Sequence, residues 1–331
     1  MNLKNLRTWL YPILLTGFAV FWLLANKPES ISTLFQGYWS SAVTMIFGSF
    51  VAGVTPLGGG AVAFPVLTKV FGVNAIDAKY FSLTIQTIGM GFASLFLISR
   101  RIKIHWELLA YCFPAAFIVM PFAIGQTHLS AELLRFAFSE FILITAWVIW
   151  LCNHTLHARR HQLKFKRLIL FLTALLGSFL SANLGSGSDV VLFFILVYVL
   201  KYPIKEAIPS TVVLMAFNAI CASLWFVFIN PVNLSDFVVN SWWAACLVAA
   251  IGAPLGAFML TIVSEHVLRR FIYFVICLEM LSTVFNQGLA IELRYIVAAS
   301  SLVLLLAIAH KRLFHKIKLT KSGTENNLKS E

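Results

Sequence analysis

Two glycine-rich breaks, about half a chain apart, interrupt long apolar stretches. Thr55-Pro56-Leu57-Gly58-Gly59-Gly60 breaks one run and Leu184-Gly185-Ser186-Gly187-Ser188-Asp189 breaks the other. At membrane depth every backbone N–H and C=O needs a partner, so a segment that stops being helical is tolerated only against protein or a water-filled cavity. Two such breaks in matching positions point to a transporter's binding site.

The apolar stretches fill the chain. Of 331 residues 60% are hydrophobic and 11% charged, with 30 phenylalanines, which excludes a soluble globular domain and gives a polytopic membrane protein. The net charge of +12 does not point to nucleic acid, because the basic residues sit in short clusters between apolar runs, as cytoplasmic loops do. Cys112, Cys152, Cys221, Cys246 and Cys277 lie within or at the ends of apolar runs, with no CxxC pair and no histidine at ligand spacing. They read as small core residues, and no metal site or cofactor is expected. His154, His157 and His161 fall in a basic linker and read as a solvated loop. Lys4 and Arg7 before the run from Trp9 to Ala25 imitate a signal peptide, but no small-x-small cleavage site follows, so a retained first helix with its N-terminus inside is expected.

At about 20 residues per span, eight full crossings fall near 9–26, 80–99, 106–127, 133–152, 208–229, 238–262, 268–286 and 291–309. The regions 39–72 and 168–200 do not fit. Split at their glycines, each gives arms of roughly 12 to 17 residues, rising about 18–25 Å against a hydrocarbon core of about 30 Å. Both are therefore expected to be re-entrant hairpins with the glycine-rich break at the tip. Charge tests this choice, because a hairpin does not change sides. With the N-terminus inside, twenty Lys and Arg fall in cytoplasmic segments, and Lys27, Lys69, Lys79, Arg135 and Arg294 fall outside.

The two halves run in the same order, a hairpin and then three spans, with Ala78-Lys79-Tyr80-Phe81-Ser82 against Ala207-Ile208-Pro209-Ser210-Thr211. One hairpin enters from outside and the other from the cytoplasm, which defines an inverted-topology repeat. The expected fold is all-α, a transmembrane bundle with an anchor helix and outer loop at 1–38, repeat 1 at 39–152, a basic cytoplasmic linker at 153–167, repeat 2 at 168–286, and a last span with a basic cytoplasmic tail at 287–331. The polar tail from Lys316 is expected to be disordered.

The hairpin tips should meet near the midplane, with helices restarting at about Gly60 and about Ser188 and presenting backbone N–H groups to an anion. Pro56, Gly58, Gly59 and Gly60 on one tip and Gly185, Ser186, Gly187 and Ser188 on the other are the candidate binding residues; close helix packing is the other use of such glycines. Asp189 is the sharpest single residue, because an intramembrane acid is costly. It is a candidate to carry a coupling proton or hold a cation, with capping of the following half-helix as the alternative. A charged Asp189 would repel an anion, so anion binding requires it protonated or turned away. Ser82 and Gln86 after the first hairpin, and Ser210, Thr211 and Asn218 after the second, are candidates to hydrogen-bond a polar substrate. Glu140 and Glu279, the latter expected near mid-depth, are proton-relay candidates. An intramembrane enzyme would need a base beside Ser186, and all eight histidines fall in loops or at span ends.

Gly58-Gly59-Gly60 with Pro65 downstream, Ala78 to Leu83 opening the next helix, and the basic turn Arg100 to His105 before Trp106 carry a resemblance that a weaker second copy repeats. Over residues 40–286 the chain resembles the TauE/SafE sulfite-exporter family, also called the toluene-sulfonate uptake permeases. The resemblance implies a secondary transporter of the bacterial cytoplasmic membrane, handling sulfite, sulfonates and related small organosulfur anions, with no prosthetic group or ATPase domain. Two departures stand beside the expected site: Asp189 is an added acid, and Tyr80-Phe81-Ser82 replaces the family's usual Gly-Thr-Ser. The alternatives are a channel or a cation-coupled carrier using Asp189, and, from other classes, an enzyme or a scaffold in the membrane lipid. No sequence signal sets an oligomeric state.

Overall fold

The computed structural model describes residues 3–26, 28–126, 130–152, 165–285 and 290–307. The linker positions 153–164, with their three histidines, and the tail from 308 lie outside the described residues. Among the described residues helix is the only regular secondary structure and there is no strand. The helices are α1 (Leu3–Ala25), α2 (Pro28–Val54), α3 (Gly60–Pro65), α4 (Ala75–Ser99), α5 (Trp106–Gln126), α6 (Ala131–Cys152), α7 (Lys166–Leu184), α8 (Ser188–Phe194), α9 (Ile204–Leu224), α10 (Asp236–Ile262), α11 (Glu265–Val284) and α12 (291–307). The helices α3, α8 and α9 each run on into a wider, π-helical turn, at Val66–Val70, Ile195–Val199 and Trp225–Ile229.

Seven helices among the described residues are long and apolar enough to cross a membrane: α1, α2, α4, α5, α7, α9 and α10. This differs from the eight expected spans in which helices qualify. Arg269, Arg270 and Glu279 dilute the apolar character of α11, and in α6 the apolar stretch among the described residues is Phe136–Trp147. The first arms of the hairpins are longer than the expected 12 to 17 residues. The 27 residues of α2 include 28–37, read from the sequence as outer loop, and a kink at Tyr38 (φ −125°, ψ 21°) separates them from the apolar part. The 19 residues of α7 take in Lys166 and Arg167 from the expected linker.

Both chains of helix do turn back at their breaks. A Cβ built on Gly48 of α2 would lie 3.6 Å from Val62 Cβ of α3, and one on Gly177 of α7 would lie 2.9 Å from Ser188 Cα of α8. A continuing helix would carry Ser188 about 16 Å beyond Gly177. The return arms are short: 60–70 and Ser188–Val199 rise only about 17 and 18 Å.

The register of the repeat is 129 residues, and it holds in backbone detail. The π-helical turns begin at Val66 and Ile195, and α4 and α9 begin at Ala75 and Ile204. Gly58 and Gly187 both have positive φ, as do Gly72 and Lys201. The bond from Val73 N–H to Leu67 O recurs from Tyr202 N–H to Leu196 O, each 2.9 Å. Packing obeys the same exchange: α10 lies on α2 and α4 as α5 lies on α7 and α9, while α4 meets α9 and α6 meets α11.

Small residues bring α2 and α10 to backbone contact. Cβ atoms on Gly53, Gly252 and Gly256 would lie 1.9, 2.0 and 2.1 Å from Ala253 O, Ser49 Oγ and Phe50 O. Without a hydrophobic drive between helices in lipid, such close approach and the buried Ser41–Ser241 hydroxyl bond (2.9 Å) supply the packing energy. The first helix α1 rides outside, held by the Trp22 indole N–H donating to Trp243 O (2.8 Å).

Each end of the bundle collects a consistent set of turns. Lys103 pairs with Glu206 at 3.0 Å, His105 N–H donates to Ser210 Oγ and Lys205 Nζ donates to Thr261 O, so the basic turns share one end. At the other, Asn240 Nδ2 donates to Tyr38 Oη and Ala290 N–H to Glu132 Oε1.

Candidate functional site

Local chemistry ends the helices where the tips must form. Thr55 Oγ donates to Val51 O and accepts from Leu57 N–H, closing α2, and Pro56 has no N–H to continue it. At the second break Gly185 adopts a left-handed C-cap (φ 75°) and its N–H donates to Ser181 O. Ser188 N–H is taken by the Ser181 hydroxyl at 2.8 Å.

The two tips touch. Ser186 Oγ donates to Leu57 O at 3.1 Å, across 129 residues, so a residue bonds its own repeat mate and the pseudo-two-fold axis passes between them. Gln86 Nε2 donates to Gly185 O at 2.6 Å and to Ser82 O at 3.0 Å, tying α4 to the second tip. Gln86 is the twelfth of the 25 residues of α4, so the tips meet halfway along a spanning helix. Gly58 lies against Asp189, Ser186 and Gln86, Gly60 against Ser186, and Gly185 against Ser82. Gly187 (φ 146°) faces Leu180 and Phe141. The tip residues, Ser82 and Gln86 are all buried, Asp189 at 0% exposure.

Asp189 is not turned away from the meeting point. Its Oδ1 accepts from Val190 N–H at 3.0 Å, while Oδ2 is buried without a partner, and so are Gln86 Oε1 and Ser82 Oγ. The capping reading accounts for one carboxylate oxygen and leaves the other facing Gly58.

The remaining candidates bond other groups. Ser210 Oγ accepts from His105 N–H at 3.0 Å and holds the basic turn instead of the tips. Thr211 and Asn218 donate to carbonyls of their own helix, Ile208 O and Leu214 O; hydroxyls and short amides in membrane helices commonly bond backward in this way. At the position that the 129-residue register makes equivalent to Gln86 stands Met215, whose sulfur accepts from Ser188 Oγ at 3.1 Å. Glu140 accepts from Ser300 Oγ of α12 at 3.1 Å.

Glu279 lies within two turns of the C-terminal end of α11. It pairs with Lys69, both side chains being 2% exposed, so Lys69 lies inside the protein and not in an outer loop. Lys69 Nζ also donates to Thr283 Oγ1 at 2.6 Å and Ser139 Oγ at 3.3 Å. The pair ties the first return arm to α6 and α11. Spacing could not reveal it, because its members are 210 residues apart.

Among the described residues no cluster of three or more His, Cys, Asp or Glu is arranged to hold a metal ion. A family model described as "Sulfite exporter TauE/SafE" matches residues 40–283, from the apolar part of α2 to the end of α11. No curated protein and no solved structure matches the chain.

Proposed function

The chain belongs to the sulfite exporter TauE/SafE family of membrane transporters, and from that premise we propose that it is a secondary carrier of a small organosulfur anion, sulfite or a sulfonate. The observation that carries this reading is the meeting of two broken helices halfway along α4, bonded across the repeat axis. Broken helices at mid-depth between two repeats supply a site that can be exposed to either side in turn.

Few bonds hold the tips together. The Ser186–Leu57 and Gln86–Gly185 bonds contribute on the order of 1 kcal/mol each, little enough for the tips to part. The return arms are too short to cross, so each repeat contributes three crossings after its hairpin, α4–α6 and α9–α11, and an odd number inverts the second repeat. The end with Arg100, Arg101, Lys103, Lys201, Lys205, Arg269 and Arg270 is then cytoplasmic, both termini are inside, and the bilayer is the bacterial inner membrane. Among the described residues Asp189 has no paired cation, so an anion near the tips travels with a positive charge that neutralises this carboxylate, a proton in the simplest case.

Labelled sulfite counterflow in proteoliposomes tests the proposal. Saturable exchange, competed by short sulfonates and not by chloride, is expected. Flux that does not saturate and follows voltage would replace the carrier by a channel, and absence of flux for every organosulfur anion would remove the substrate assignment.

A further inference from the structure

The side-chain polar atoms nearest Gly58 share one property: they face it as acceptors. Both Gln86 Nε2 bonds go to carbonyl oxygens, Gly185 O and Ser82 O, which fixes the amide orientation and leaves Oε1 facing away from any donor. Ser186 spends its hydroxyl hydrogen on Leu57 O and offers only lone pairs. Asp189 Oδ2 has no donor either. The three oxygens surround the point where a side chain on Gly58 would begin: Asp189 Oδ2 at 2.5 Å, Ser186 Oγ at 2.7 Å and Gln86 Oε1 at 3.3 Å. Gly58 itself is left-handed (φ 69°), so both the backbone and the space exclude a side chain there.

No described side chain supplies the missing positive charge. The helices packed on α8 are α7, α9 and α6. On α7, Arg167 lies over the Tyr111 ring. On α9, Lys205 donates to Thr261 O and Glu206 pairs with Lys103. On α6, Glu140 accepts from Ser300 and Glu132 from Ala290 N–H. From α4, Lys79 places its ammonium over the Tyr80 ring, 4.9 Å from the centroid. The repeat is also broken here, because the position equivalent to Asp189 in the first half is Gly60.

A narrow space beside Gly58 on which three side-chain oxygens converge, one of them a carboxylate and none offered a side-chain donor, suits a small cation and repels an anion. We propose that this space is the site of the coupling cation, a proton or a sodium ion held by Asp189 Oδ2, Gln86 Oε1 and Ser186 Oγ, which bridges the second tip to α4 beside Gly58. The inference rests on the carrier reading above. Its ligands come from the second break and from α4 and close on Gly58 of the first break, so the ion binds the tips when they are together and, by linkage, favours that state.

The test is thermal unfolding of the purified protein in detergent. Sodium chloride is titrated against choline chloride at fixed pH, and pH is titrated in choline alone, for the parent, Asp189→Asn, Ser186→Ala and Gly58→Ala. The parent midpoint rises with sodium if sodium is the ion, or with falling pH in choline if the proton is. That response is lost in Asp189→Asn, and in the other two variants half-saturation needs at least tenfold more of the ion. Should Asp189→Asn fail to fold, Ser186→Ala and Gly58→Ala decide on their own. Equal responses in parent and variants overturn the proposal. A response without sulfite flux would sink the substrate assignment and leave the ion site standing, whereas sulfite flux with no ion response would do the reverse.

Discussion

Breaking the Lys69–Glu279 pair gives the sharpest energetic prediction. The ammonium and the carboxylate are each 2% exposed, so removing either strands a buried charge, at a cost of about 3–5 kcal/mol. Glu279→Leu takes from Lys69 its carboxylate and leaves neutral hydroxyls of Thr283, Ser139 and Ser282 beside it, and Lys69→Met leaves the carboxylate facing the Ser139 and Ser282 hydroxyls. The double variant Lys69→Met/Glu279→Leu removes both charges, and every hydroxyl keeps a partner. Ser139 and Thr283 are 2.8 Å apart, and Ser282 and Thr283 donate to Glu279 O at 2.8 and 2.9 Å. It should therefore fall within about 1 kcal/mol of the parent, and the two sites should be non-additive by about 5 kcal/mol or more. Reversible unfolding in mixed micelles, read by circular dichroism, gives the four midpoints. Single variants within about 1 kcal/mol of the parent, or a double variant costing the sum of the singles, would refute the claim that this is a dry ion pair.

The other predictions are smaller. Gly256→Ala puts a Cβ 2.1 Å from Phe50 O and should cost about 1–3 kcal/mol in the same unfolding assay, whereas Gly91→Ala, with nothing within 4 Å, should be neutral or gain up to about 1 kcal/mol. Lys103→Ala loses an ion pair whose side chains are 58% and 32% exposed and should change stability by less than about 1 kcal/mol, less still in high salt. Gln86→Leu leaves the buried Gly185 O without its donor and should cost about 1–3 kcal/mol, together with loss of flux.

The repeat and its register were legible because they rest on local signals. Pro56 and the glycines mark where a helix must stop, and the match of Ala78–Ser82 with Ala207–Thr211 already contains the 129-residue offset that the backbone follows. Asp189 stood out because an acid in an apolar run is expensive. Arm length was less legible, since the polar residues 28–37 continue the helix as far as Tyr38 before the kink. Side-chain direction was not legible: Ser82 and Ser210 are both polar residues early in their helices, yet only Ser82 faces a tip while Ser210 holds the turn at His105. Lys69 looked like a loop cation because its partner comes from the far end of the chain.

The central claim, that the apposed tips are the transport site, is tested most directly by sulfite flux in proteoliposomes containing the parent, Gly58→Ala or Gly17→Ala. A Cβ at Gly58 enters the space between Asp189, Ser186 and Gln86, whereas one at Gly17 meets nothing within 4 Å. The account predicts saturable flux for the parent and Gly17→Ala, and its loss in a Gly58→Ala protein that still unfolds cooperatively. Parent-like flux through Gly58→Ala would contradict it.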